Sequence, residues 1–169
     1  MNKRVVITGM GVVSLLGNEI DKFWNNLVAG TNGVTTQDWL VEEGYNATVA
    51  ATAKDEILID DVVDFKEARR MDPFTRYSVH SAKAAIAQSG LDTSSEDPTR
   101  MGVIIGSGVG GLYTFEEQHA MLIKRGHRRV SPFFIPMMIP DIAAGYVSII
   151  WGLKGPNFSV NSACATAAH

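Results

Sequence analysis

Apolar residues fall into short runs divided by glycine, proline and acidic turns, and their period changes along the chain. Val5-Val6-Ile7, after Lys3-Arg4 and before Thr8, is an unbroken apolar run, the pattern of a strand buried on both faces. Gly9 and Gly11 then mark a tight turn. Behind Asn18, a candidate N-cap, Ile20, Phe23, Trp24 and Leu27 recur at helical spacing, predicting a helix with a core-facing stripe that Gly30 ends. Residues 31–65 are irregular, broken by Gly33, Asp38, Gly44 and Asn46, with a short strand expected within Tyr45 to Ala53. Asp55, Glu56, Asp60, Asp61 and Asp64 alternate with apolar residues and lack the spacing of a calcium loop, so they predict a solvated face.

Asp72-Pro73 is a strong helix start, a cap followed by proline at the first helical position, and Gly90 closes that helix after Ser89. Arg100 to Ile105 predicts a second buried strand, and Leu112 to Arg125 a helix. Prolines at 132, 136 and 140 forbid a long helix and predict an extended loop over Ser131 to Pro136. Asp141 and Gly152 bracket a small-residue helix, and Gly155-Pro156 turns into a strand at Asn157-Phe158-Ser159-Val160. The order β, α, loop, α, β, α, α, β, α is that of a layered α/β fold with a central sheet.

That last strand leads through Asn161-Ser162-Ala163 to Cys164, the only cysteine, and on into a row of alanines that predicts a helix. A thiol at a helix N-terminus feels the positive end of the backbone dipoles, which favours the nucleophilic thiolate. Cys164 is therefore a candidate nucleophile, although a lone cysteine also suits a small core position. The chain stops at His169, only a short way into this helix, and this predicts the N-terminal piece of a longer protein.

Composition narrows the classes. The chain has 169 residues, 46% hydrophobic and 20% charged, enough for one domain with a proper core. One cysteine excludes an internal disulfide framework and suits a reducing cytoplasm, and no apolar run approaches a membrane helix. A net charge of −3 argues against general nucleic-acid binding, leaving local basic clusters at Lys66 to Arg70 and Lys124 to Arg129.

Gly106-x-Gly108-x-x-Gly111, between a strand and a helix, has the literal spacing of a dinucleotide loop, and Gly9-x-Gly11 is a weaker version. Neither is followed at the required distance by an acidic residue ending a strand, so close helix–sheet packing is the better account. Of the histidines, His80 and His119 fall in helices, His127 in a basic loop, and His169 lies about 140° round a helix from Cys164. No cysteine–histidine pair follows from sequence proximity.

Val5 to Gly11, Ile105 to Leu112, Ser131 to Pro136, Gly155-Pro156-Asn157 and Ser162-Ala163-Cys164-Ala165-Thr166 together resemble the β-ketoacyl-[acyl carrier protein] synthases, in order and along the whole chain. The likeness is greatest to the type II elongating enzyme of bacterial fatty-acid synthesis, while the Ser162 to His169 ending is more similar to type I. The resemblance implies a thiolase-like αβαβα sandwich, of which residues 1–169 are the N-terminal half, and a homodimer. It implies that Cys164 accepts the acyl group from acyl carrier protein, that malonyl-acyl carrier protein loses carbon dioxide, and that the carbanion attacks the Cys164 thioester. It also implies that Val109, Phe134 and Ala163 line the acyl pocket, with Phe134 reaching across the dimer. Lys66, Arg69 and Arg70 would dock acyl carrier protein, with Arg128 and Arg129 adding to the patch. The resemblance implies no cofactor, no metal, no nucleic acid and no membrane. The two histidines and the lysine that complete the family's active site are absent, so this chain by itself is expected to be inactive. Two other readings compete: an NAD(P)-dependent oxidoreductase built on the glycine loops, and a non-catalytic partner subunit of a synthase, which the presence of Cys164 disfavours.

Overall fold

The computed structural model describes residues 3–53, 57 and 59–169, which form two compact units. The first unit comprises Met1–Ile57 with His80–Ser89, and the second Leu58–Val79 with Gly90–His169.

In the first unit the chain enters as an extended but unpaired segment. Lys3 to Thr8 joins no ladder among the described residues, and Val5 and Ile7 are 94% and 83% exposed. The two-sided burial expected of this run is not met, because an apolar pattern records what a strand needs from neighbours and does not supply them. Just beyond it, the Met10 N–H donates to Gln88 Oε1 at 2.7 Å. Helix α1 covers Ile20–Val28. Its N-cap is Glu19, not Asn18, which is buried and whose side chain instead accepts from the Ser14 N–H of a half-buried loop. The α1 stripe is half-buried at Ile20 and Phe23 but exposed at Trp24 and Leu27, so it is only partly a core face. Strands β1 (Thr35–Thr36) and β2 (Val49–Ala50) pair antiparallel, with helix α2 (Asp38–Glu42) between them. Asp55 and Glu56 lie outside the described residues; Asp60, Asp61 and Asp64 are exposed.

The apolar core lies in the second unit. Ile59, Val63, Ala68, Met71, Val79, Val103, Ala143, Ala144 and Val147 are buried there. Helix α3 (Phe65–Ala68) starts where the Asp64 carboxylate accepts the Glu67 N–H at 2.9 Å. Helix α4 runs over Pro73–Ser89, the predicted span, stopped by Gly90 at φ +67. Strand β3 (Val103–Ile104) is followed by α5 (Leu112–Arg125), α6 (Phe134–Met138) and α7 (Ile142–Trp151), and β4 (Asn157–Phe158) returns parallel to β3. Val103 pairs with Asn157 and Ile104 with Phe158. Helix α7 packs on both strands, and Asn157 Nδ2 donates to the Ala144 carbonyl at 2.9 Å, tying β4 to α7.

Two local expectations change. Ser131 to Pro136 is not wholly extended: α6 begins at Phe134 and contains Pro136. Proline is tolerated there because the first-turn N–H groups have no intrahelical acceptor, so its missing donor costs nothing. The alanine row after Cys164 is a 3₁₀ turn, Ala163–Ala168, where an α-helix was expected.

Asp72 organises this unit. The residue is 4% exposed. Oδ1 accepts from the Phe74 N–H at 3.2 Å, capping α4, and Oδ2 accepts from the Thr114 N–H at 2.8 Å, capping α5. One carboxylate thus satisfies orphan donors of two helices and complements both positive dipole ends. Removing a cap costs about 1 kcal/mol and a buried donor left unpaired about 1–3 kcal/mol, so Asp72→Ala should lose about 2–4 kcal/mol. Urea unfolding of that variant should show a lower midpoint, with Asp72→Asn falling between it and the parent.

Candidate active site

The glycine loop and the Cys164 turn meet in the second unit. A Cβ on Gly106 would fall on Thr166 Cγ2 and stand 2.7 Å from the Val160 carbonyl oxygen, so only glycine allows this approach. Gly108 lies against the Ala163 backbone. The Ser107 N–H donates to Asn161 Oδ1 at 3.2 Å, and Ser107 Oγ in turn accepts from the Gly110 N–H at 2.9 Å. At its far end the loop approaches α6: Gly110 takes φ +84, and the Gly111 N–H donates to the Met138 carbonyl at 2.8 Å. The loop's glycines are therefore committed to close contact with protein backbone. That is the packing role expected over a phosphate cradle.

Cys164 is exposed on the turn this loop supports. Ala163, just before it, has φ +50, the one described non-glycine residue with positive φ. Such a backbone costs about 1–3 kcal/mol and persists only where its surroundings hold it. Three hydrogen bonds do so. The Ser162 N–H donates to Thr166 Oγ1 at 2.9 Å, Thr166 Oγ1 donates to the Ala163 carbonyl at 2.7 Å, and the Ala165 N–H donates to the Ser162 carbonyl at 3.1 Å. At about 1 kcal/mol each they offset the strain. The His169 ring lies with Nε2 2.7 Å from Ser162 Oγ.

Of the residues expected to line a pocket, Val109 lies on this loop and Ala163 against it. Val109, 70% exposed, lines an apolar hollow of about 250 Å³ with Leu112, Phe115 and Met138. Phe134 is half-buried, its ring 6.2 Å from that of Phe115. Ala163 is exposed and adjoins Gly108.

Among the basic residues, Lys66 lies on α3, with Arg69 and Arg70 just after it. Lys66 and Arg69 are exposed, as are Arg128 and Arg129 on a separate 3₁₀ turn, His127–Arg129. Arg70 is already engaged: Nη1 pairs with Glu67 Oε1 at 2.9 Å, and its guanidinium lies 4.1 Å from the centre of the Phe133 ring. Arg69 also lines a polar cavity of about 360 Å³ with Arg76, Tyr113 and Glu117. Tyr146 donates to Glu67 Oε2 at 3.4 Å. Burial, and then the Glu67 charge, hold the Tyr146 hydroxyl above its ordinary value of 10.0.

Comparison with known proteins settles the family. The family described as "Beta-ketoacyl synthase, N-terminal domain" matches residues 2–169. The chain belongs to the beta-ketoacyl synthase family. The 3-oxoacyl-[acyl-carrier-protein] synthase 2 of Staphylococcus aureus (strain COL) is 48% identical over 99% of this chain. Its namesake from Vibrio cholerae serotype O1 is 39% identical over 99%. The chain spans 40% of the length of each. A crystal structure of a beta-ketoacyl synthase from Burkholderia phymatum STM815 superposes with a TM-score of 0.78 at 30% identity, covering 99% of this chain and 41% of that one. The fold is thus the N-terminal portion of the ketosynthase, thiolase-like α/β fold. The dinucleotide reading of the glycine loop falls with this assignment.

Three contributors carried no functional assignment in the sequence. Asp72 reads as the α4 cap, but its bond to Thr114 spans 42 positions and leaves no local signal. Asn161 and Thr166 stand in the cysteine segment, and the hydroxyl of Thr166 four positions after Ser162 is the one sequence cue to a closed turn. The Tyr146 linkage has a measurable sign. A hydroxyl whose folded value is raised adds stability below its unfolded value, and that stability is lost as pH rises through the folded one. Absorbance at about 295 nm should therefore show late tyrosine ionisation, above the ordinary tyrosine value, from Tyr146 and from Tyr113, which the Glu117 charge also raises, and Tyr146→Phe should remove only the Tyr146 share of it.

Proposed function

We propose that the protein containing this chain is a β-ketoacyl-[acyl carrier protein] synthase of fatty-acid elongation. The observation that carries this reading is the Cys164 thiol, exposed on a strained turn seated on the glycine loop beside an apolar hollow. In the first half-reaction the Cys164 thiolate attacks the thioester carbonyl of acyl-acyl carrier protein. The carrier thiol leaves and an acyl-Cys164 thioester remains. In the second, malonyl-acyl carrier protein loses carbon dioxide, its carbanion attacks that thioester, and the Cys164 thiolate leaves as 3-ketoacyl-acyl carrier protein forms.

Val109, Phe134 and Ala163 border the acyl chain in this scheme, with Val109 on the loop, Ala163 against it and Phe134 beside Phe115. Two histidines and a lysine supplied by the remaining length of the protein, as the family resemblance implies, handle the decarboxylation. Residues 1–169 act as the N-terminal half of one ketosynthase unit. The protein works as a cytoplasmic homodimer with Phe134 at the subunit boundary; among the described residues, no helix is long and apolar enough to cross a membrane. The relatives' designation as synthase 2 supports a type II enzyme over type I.

Lys66, Arg69 and Arg70, with Arg128 and Arg129, dock the acidic carrier protein. Exposed charges of this kind act mainly on encounter and on the Michaelis constant. Because Arg70 is bound to Glu67 and Phe133, Lys66 and Arg69 are the freer contributors.

Full-length protein incubated with radiolabelled acyl-acyl carrier protein should retain label on Cys164, and Cys164→Ala should retain none; label surviving in that variant would refute the assignment. Charge reversal at Lys66 and Arg69 should raise the KM for acyl carrier protein about tenfold with kcat little changed, an effect that weakens with added salt. An unchanged KM would remove the docking role.

A further inference from the structure

The glycine loop, the cysteine turn and the positive-φ alanine share one side chain. Thr166 is half-buried, whereas every other residue from Asn161 to His169 is exposed. Its hydroxyl is used twice, accepting from the Ser162 N–H at 2.9 Å and donating to the Ala163 carbonyl at 2.7 Å. Both bonds fall on the two residues immediately before Cys164. The methyl group does something different: Cγ2 occupies the space a side chain at Gly106 would need. One threonine therefore closes the turn with its oxygen and keys the turn into the loop with its carbon.

We propose that Thr166 is the positioning residue of the acyl-accepting thiol, holding Ala163 at positive φ so that Cys164 is presented at a fixed point above the glycine loop. The proposal rests on the reading of Cys164 as the nucleophile. Thr166 does not touch the reacting atoms; it acts through the backbone that carries them. Gly106 has a definite role in the same geometry, because its missing side chain leaves room for the Thr166 methyl. The loop that looks like a nucleotide fingerprint is thus the seat of the nucleophile. Valine at 166 keeps the shape and loses both hydrogen bonds. Serine keeps the bonds and loses the methyl. The two functions can therefore be separated.

The test is made on the full-length protein with Thr166→Val, Thr166→Ser and Thr166→Ala, each measured for acyl transfer (kcat and KM separately), for the rate of Cys164 alkylation by iodoacetamide and for thermal unfolding. A displaced reacting group costs about 10²-fold per ångström, so Thr166→Val and Thr166→Ala should lose at least about tenfold in kcat with KM for acyl carrier protein unchanged. Thr166→Ser should restore kcat to within about threefold of the parent, because it restores the hydroxyl. Alkylation of Cys164 should follow the same order. Should Thr166→Val fail to fold, the Ser and Ala pair still isolates the hydroxyl, and equal kcat in those two overturns the proposal. Cys164→Ala separates this idea from the one beneath it. Acyl transfer persisting there overturns the nucleophile assignment, whereas a parental kcat in Thr166→Ala overturns the positioning role alone.

Discussion

The constraint on which the rest depends is the approach of two backbones that leaves no room for a Cβ at Gly106. The loop that begins at this glycine must carry the chain from β3 into α5 while receiving the Cys164 turn on one side and α6 on the other. Any side chain at Gly106 would push Thr166 away, and with it the hydrogen bonds that offset the strain at Ala163. Asp72 secures the other end of the same loop. Its Oδ2 holds the first turn of α5, so the loop is pinned where it becomes helix, and its Oδ1 ties that point to the start of α4. Glycine supplies the space and the buried carboxylate supplies the anchorage.

In the function proposed above, reactivity and recognition fall to neighbouring parts of this unit. The thiol and its strained turn are built on loop backbone and small residues, where a small displacement of either backbone matters, while the hollow beside Val109 is walled by larger apolar side chains. The basic surface at Lys66 and Arg69 is built from long side chains on a short helix, where position matters less than charge. Arg70 is a cation held in place by Glu67 and by the face of Phe133, just ahead of Phe134, whose ring lies 6.2 Å from that of Phe115. Tyr146 adds a contact from α7 to the same glutamate.

The helices with punctuation at both ends were legible in the sequence. Asp72-Pro73 with Gly90, and Asp141 with Gly152, each bracket a helix, because caps act locally and their residues report directly on backbone geometry. What depends on partners elsewhere in the chain was less legible. Val5-Val6-Ile7 carries a strand's pattern without a ladder among the described residues, and Trp24 on α1 carries a core pattern while exposed. Pro136 misled in another way, since its meaning changes with its position in a helix and the helix start at Phe134 has no capping side chain. At the site, the cysteine and the glycine loop could be singled out, but their meeting could not. The Gly106–Thr166 approach and the Ser107–Asn161 bond join segments more than fifty positions apart, and no local rule encodes them.

The central claim is that an acyl chain is taken up by Cys164 and laid beside the glycine loop that seats it. A crystal structure of the full-length protein after reaction with acyl-acyl carrier protein tests this most directly. The predicted result is continuous density from Cys164 Sγ into an acyl chain running past Val109 and Phe134, with Ala163 still at positive φ and Thr166 still bonded to both backbone groups. An unmodified thiol, or an acyl group carried by another residue, would contradict it.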